Sequence, residues 1–118
     1  MNNYCEFLRQ RNEIGKTHLS RKLDIACLQL LDLIVIAMHD NKELSVSNAL
    51  ALSEVGSPAT IHKKLQILRD FDLVNATFTT DKRTKVIKLT DKAQAYYAEI
   101  AQAFRATQSP QLRSFWPD

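Results

Sequence analysis

The side chains with the most to offer chemically lie between residues 57 and 92, where eight lysines and arginines meet four carboxylates. Residues 57–70 read SPATIHKKLQILRD. On a helical wheel with Ile61 at the origin, Leu65 and Leu68 fall within about 40° of it, while Ala59, His62, Lys63, Gln66 and Asp70 fall opposite. A glutamine amide can hold adenine through two hydrogen bonds, and a lysine can donate to guanine or to phosphate. A histidine or a small alanine fits against base edges. Ser57, Thr60 and the helix N-terminus add hydroxyl and backbone N–H donors suited to a phosphate. A second cationic cluster, Lys82, Arg83 and Lys85, lies in TDKRTK at 80–85. Its arginine suits a narrow minor groove and its lysines the neighbouring phosphates.

Catalysis has no comparable support. The chain lacks a glycine-rich phosphate loop, G-x-S-x-G and H-E-x-x-H, and no carboxylate pair can be assigned to a cleft, so no enzyme is expected. His18, His39 and His62 fall on three separate elements without ligand spacing, and neither a metal nor another cofactor is expected. Cys5 and Cys27 form no C-x-x-C and call for no disulfide, which fits a reducing cytosol. Cys27 lies on an apolar stripe and reads as a small buried hydrophobe.

The elements that must position these groups follow from length and pattern. At 118 residues and 45% hydrophobic content, with 2 glycines and 3 prolines, the chain suits one ordinary domain with a real core. We divide it into an N-terminal extension at 1–19, a core at 20–105 and a tail at 108–118. The net charge is +3. It is unevenly spread, since residues 23–56 hold one basic and five acidic side chains while 57–92 are basic. The most apolar run, IACLQLLDLIVIAM at 25–38, is shorter than a bilayer span and is interrupted by Gln29 and Asp32. A soluble, cytoplasmic protein with no membrane partner is expected.

Tyr4, Phe7, Leu8 and Ile14 predict a short amphipathic helix ahead of Gly15. A second helix is expected over 20–39, apolar nearly all round, which one small domain cannot cover; dimerisation is the simplest explanation. Ser45 starts a short helix, Ser57 and Pro58 start another over 58–71, and Gly56 ends the turn between them. Val74, Ala76 and Phe78 alternate with polar residues, as do Ile87 and Leu89, giving a hairpin with a basic tip. Thr90 caps a last helix with Ala93, Tyr97, Ile100, Ala101 and Phe104 as its core stripe, ending before Ser109 and Pro110. Phe115 and Trp116 would dock the tail if it is ordered. The fold class is therefore mainly α with a small β-hairpin, in the order of a winged helix-turn-helix.

GSPATIHKKLQILRDFDLV at 56–74 and DKRTKVIKLT at 81–90 resemble the turn, recognition helix and wing of the MarR-type transcriptional regulators. The resemblance implies a homodimer that binds duplex DNA and regulates transcription, read here as a repressor. Helix 58–71 would then enter the major groove, and wing 79–85 would meet the backbone or minor groove. The expected contacts are Ser57, Ala59, Thr60, His62, Lys63, Gln66, Lys82, Arg83 and Lys85. The alternative is a winged-helix adaptor that binds a protein partner, against which a basic hairpin tip argues. No residue pattern marks a small-molecule effector site. Cys5 is expected at the surface, where oxidation could reach it, as in redox-sensing members of the family. The chain departs from the family in carrying Asp72 and Ala93 where glycines are usual.

Overall fold

Helix boundaries in this protein are set by polar side chains that replace missing backbone partners. The computed structural model describes residues 2–19 and 21–108. Asp24 accepts the Cys27 N–H at 2.8 Å and starts α2 at Ile25–His39. Ser45 accepts the Asn48 N–H at 3.0 Å and starts α3 at Val46–Leu50. Ser57 accepts the Thr60 N–H at 3.2 Å, with Pro58 in the first turn, and starts α4 at Pro58–Asp70. Thr90 accepts the Ala93 N–H at 3.1 Å ahead of α5 at Asp91–Thr107. The first helix, α1, spans Asn2–His18, and the strands β1 and β2 span Val74–Phe78 and Lys85–Leu89. This is the expected class, mainly α with one antiparallel hairpin.

Two helices end in the same way without glycine. After α2, the Asn41 N–H reaches the Met38 carbonyl and the Lys42 N–H reaches Ala37, with Asn41 at φ 57°. After α4, the Asp72 N–H reaches Arg69 and the Leu73 N–H reaches Leu68, with Asp72 at φ 60°. Both are Schellman closures, in which a left-handed residue turns the chain back onto the last carbonyls. Asp72 thus takes a left-handed conformation that glycine adopts at lower cost. Leu73 and Leu68 are both fully buried, which supplies the apolar contact of that motif.

Residues 23–93 pack as one compact unit. Its core joins Cys27, Leu30, Leu31 and Ile34 of α2 to Ile61 and Leu68 of α4, with Ala49, Leu73, Val86 and Ile87 completing it. The hairpin pairs Val74 with Leu89, Ala76 with Ile87 and Phe78 with Lys85. A short third segment joins it, because Ser45 pairs antiparallel with Val86 and the Ile87 N–H donates to the Leu44 carbonyl at 2.8 Å. Residues up to Lys22 and those from Gln94 onward form the other unit. There His18 Nε2 lies 2.6 Å from Glu99, and the Phe7 and Phe104 rings meet edge to face at 5.7 Å.

Four expectations change. The first helix runs through Gly15 to His18, because a helical glycine costs a fraction of a turn's stability and does not stop a helix by itself. The second begins at Ile25 with Asp24 as its cap, not at residue 20. In α5 the buried residues are Ala93, Tyr96 and Ala103, so Tyr96 and not Tyr97 is the buried ring, and Phe104 is exposed. Phe78, read as part of an alternating apolar strand, is 59% exposed. The expectation for the tail falls, beyond Gln108, outside the described residues.

Candidate nucleic-acid interface

The exposed face of α4 is set by the burial of its other side. Ile61 and Leu68 are fully buried and Phe71 nearly so, which turns Ala59, His62, Lys63 and Gln66 outward. At its start, the Ser57 hydroxyl donates to Thr60 Oγ1 at 3.0 Å while its own oxygen caps the helix. That leaves the Thr60 hydroxyl hydrogen free to point outward as a donor. A Cβ at Gly56, just before this turn, would stand 3.0 Å from the Thr60 methyl, so a side chain there would require Thr60 to give by a few tenths of an ångström.

The adjacent lysines of this helix have different environments. Lys63 is exposed, whereas Lys64 turns back to Asp24, with Nζ 2.7 Å from Oδ2. The Lys64 hydrogen bond, with that from the Cys27 N–H, holds the Asp24 carboxyl below the usual carboxylate range; the same contact raises Lys64. A helix expected over 20–39 places Asp24 inside it, whereas the structure puts this residue at its start.

The hairpin loop is shaped by one carboxylate. Asp81 accepts the Thr79 hydroxyl and the Arg83 backbone N–H, the latter at 3.1 Å. These donors, the Thr79 hydroxyl first, draw the Asp81 carboxyl below its ordinary value. Backbone bonds from Thr79 to Thr84 and from Lys82 to Thr79, each 2.8 Å, close the turn and put Lys82 at φ 61°. Lys82, Arg83 and Lys85 all stand in solvent. Lys85 Nζ lies 5.1 Å from the centre of the Phe78 ring. Beside the loop, Glu43, Ser45, Asn48 and Thr84 help to line an open groove of about 480 Å³.

The nine expected contact residues therefore divide cleanly within unit 23–93. Ser57, Ala59, Thr60, His62, Lys63 and Gln66 belong to the start and outer face of α4, while Lys82, Arg83 and Lys85 belong to the hairpin. Phe78, read in the sequence only as an alternating strand residue, stands exposed beside the hairpin loop. His18, His39 and His62 lie on α1, α2 and α4.

No family model and no curated protein matches this chain. Solved structures do. The YusO protein of Bacillus subtilis is 21% identical with a TM-score of 0.58, over 99% of this chain and 74% of that one. A MarR-family transcriptional regulator from a Rhodococcus species is 18% identical with a TM-score of 0.52, over 86% of this chain and 66% of that one. The Mycobacterium tuberculosis transcriptional regulator MosR, solved in complex with DNA, is 20% identical with a TM-score of 0.52, over 92% of this chain and 77% of that one. The chain thus has the winged helix-turn-helix fold found in MarR-type transcriptional regulators.

Proposed function

We propose that the protein is a transcriptional regulator that binds duplex DNA as a homodimeric repressor in the cytoplasm. Helix 58–71 reads the major groove, and wing 79–85 holds the backbone or minor groove. The observation that carries this reading is the outward face of Ala59, His62, Lys63 and Gln66 on α4, in the same unit as an exposed cationic loop. The complex of MosR with DNA supports it, since that fold serves a DNA-bound regulator. Repression follows from occlusion, which needs no further contact surface.

A dimer is supported by apolar surface left in water. Ile25 is 83% exposed, Ile36 54% and Met38 36%, all on α2. Covering such side chains is the ordinary reason for a two-fold partner. Light scattering at micromolar concentration should give twice the chain mass, and a monomer would remove this part of the reading.

Salt titration tests the DNA reading. Binding through several phosphates weakens by about 0.9 log unit per contact for each log unit of salt. Labelled genomic and random duplexes should bind tightly at low salt and fall off steeply. A protein inert toward all duplexes at low salt is not a DNA-binding regulator, and the adaptor reading would replace it.

A further inference from the structure

The pleat of the hairpin puts Val74, Ala76 and Phe78 on one face, opposite Leu89, Ile87 and Lys85. This face changes character along its length. Val74 and Ile87 are buried in the core, whereas Phe78 and Lys85, the last pair before the loop, are exposed. Their side chains are not independent, because the ammonium stands 5.1 Å from the ring centre, within reach of the attraction between a cation and an aromatic ring. Lys82 and Arg83 follow, exposed, in the same loop, so the ring has one cation against it and two more on the loop that continues its strand.

The surroundings of the ring select its partner. An apolar surface placed over Phe78 would strip water from the adjoining Lys85 ammonium without returning a counter-charge. A sugar-phosphate backbone offers both chemistries side by side, an apolar sugar face next to an anion. The ring sits at the end of the strand and not at the loop tip, a place suited to a backbone contact and not to insertion into a base stack. We propose that Phe78 is a nucleic-acid contact of the wing. Its ring packs on a deoxyribose while the Lys85 ammonium meets the adjoining phosphate. This inference rests on the DNA-binding reading and adds to it an apolar anchor of affinity.

Apolar and ionic contacts differ in their response to salt, which gives the test. Affinity for one duplex is measured by anisotropy at several salt concentrations for the wild type, Phe78→Ala, Phe78→Thr and Lys85→Met. Phe78→Ala should weaken binding roughly tenfold at every salt concentration and leave the salt slope unchanged, since no counterion contact is lost. Lys85→Met should lower the slope by about one phosphate contact. Phe78→Thr keeps a strand-favouring residue, so equal weakening with an unchanged melting curve separates lost contact from lost hairpin. Wild-type affinity in Phe78→Thr, or a slope reduced by that substitution, overturns the inference while leaving DNA binding intact. Failure of the wild type to bind any duplex overturns both readings.

Discussion

Lys64 and Asp24, forty residues apart, are joined by a 2.7 Å contact between ammonium and carboxylate, and the same carboxylate caps α2. One side chain thus ties the start of α2 to the middle of α4. A lysine of α4 is thereby committed to the fold. Asp24→Ala should destabilise the protein by about 1 kcal/mol through the lost cap, with a small addition from the partly exposed ion pair. Asp24→Asn keeps the cap and removes the charge, so urea unfolding of the two variants separates the effects. The pH dependence has a definite sign. The carboxyl is lowered from 3.8 in the folded protein. Its contribution is therefore full above the ordinary aspartate range and lost as pH falls through the lowered value. Asp24→Asn should flatten the stability profile below about pH 4.

Asp72 holds a left-handed backbone conformation that costs a side chain more than it costs glycine. Asp72→Gly should raise stability by about 0.5 kcal/mol, relief of strain being partly offset by the freer unfolded chain. Asp72→Val should lower it by about 1–2 kcal/mol. Thermal melts of the two variants should move in opposite directions, and movement in the same direction would contradict the strain assigned to this position.

Specificity and affinity should separate between α4 and the hairpin. Gln66→Ala should cost about 1–3 kcal/mol on the preferred site and much less on random DNA. Lys82→Ala should weaken all sequences alike and lower the salt slope by about one contact. Because Lys82 sits at φ 61°, alanine there inherits the same backbone cost, and the substitution reports charge. Competition binding with specific and random duplexes checks both. Uniform loss in Gln66→Ala with no change in Lys82→Ala would reverse the assignment.

The two thiols should differ in reactivity. Cys27 is fully buried, and burial, reinforced by Asp24, pushes its thiol up to about 11. Cys5 is exposed on α1. A thiol reagent at pH 8 should modify one cysteine in the native protein and two in denaturant, since the thiolate is the reacting species. Prompt labelling of Cys27 in native buffer would mean that the α2 core opens readily.

The sequence is informative at the capped helix starts and at the hairpin, and misleading at Gly15, where α1 continues. Ser57 followed by Pro58, and Thr90 followed by helical spacing, marked helix starts that the backbone bonds bear out. The hairpin was legible because its polar loop separates two runs of alternating residues. Asp24 is not legible as a cap because apolar spacing extends back to Leu23, so the helix start is not marked by the pattern alone. Tyr96 and Tyr97 are adjacent, so the choice of the buried ring depends on which side of α5 is covered. The exposure of Phe78 depends on where the core stops beneath the hairpin. That boundary is a property of packing between α2, α4 and β2.

Ser45 serves two structures at once, capping α3 through its hydroxyl while its backbone pairs with Val86 of the hairpin. The Leu44 carbonyl adds a second tie to Ile87. A hairpin on two free strands would be a pendulum, and any partner would have to arrest it at an entropic cost. Here the hairpin is stitched to the segment that launches α3. Whatever the loop meets, it meets with its base already ordered, and encounter is governed by orientation and charge without a folding step.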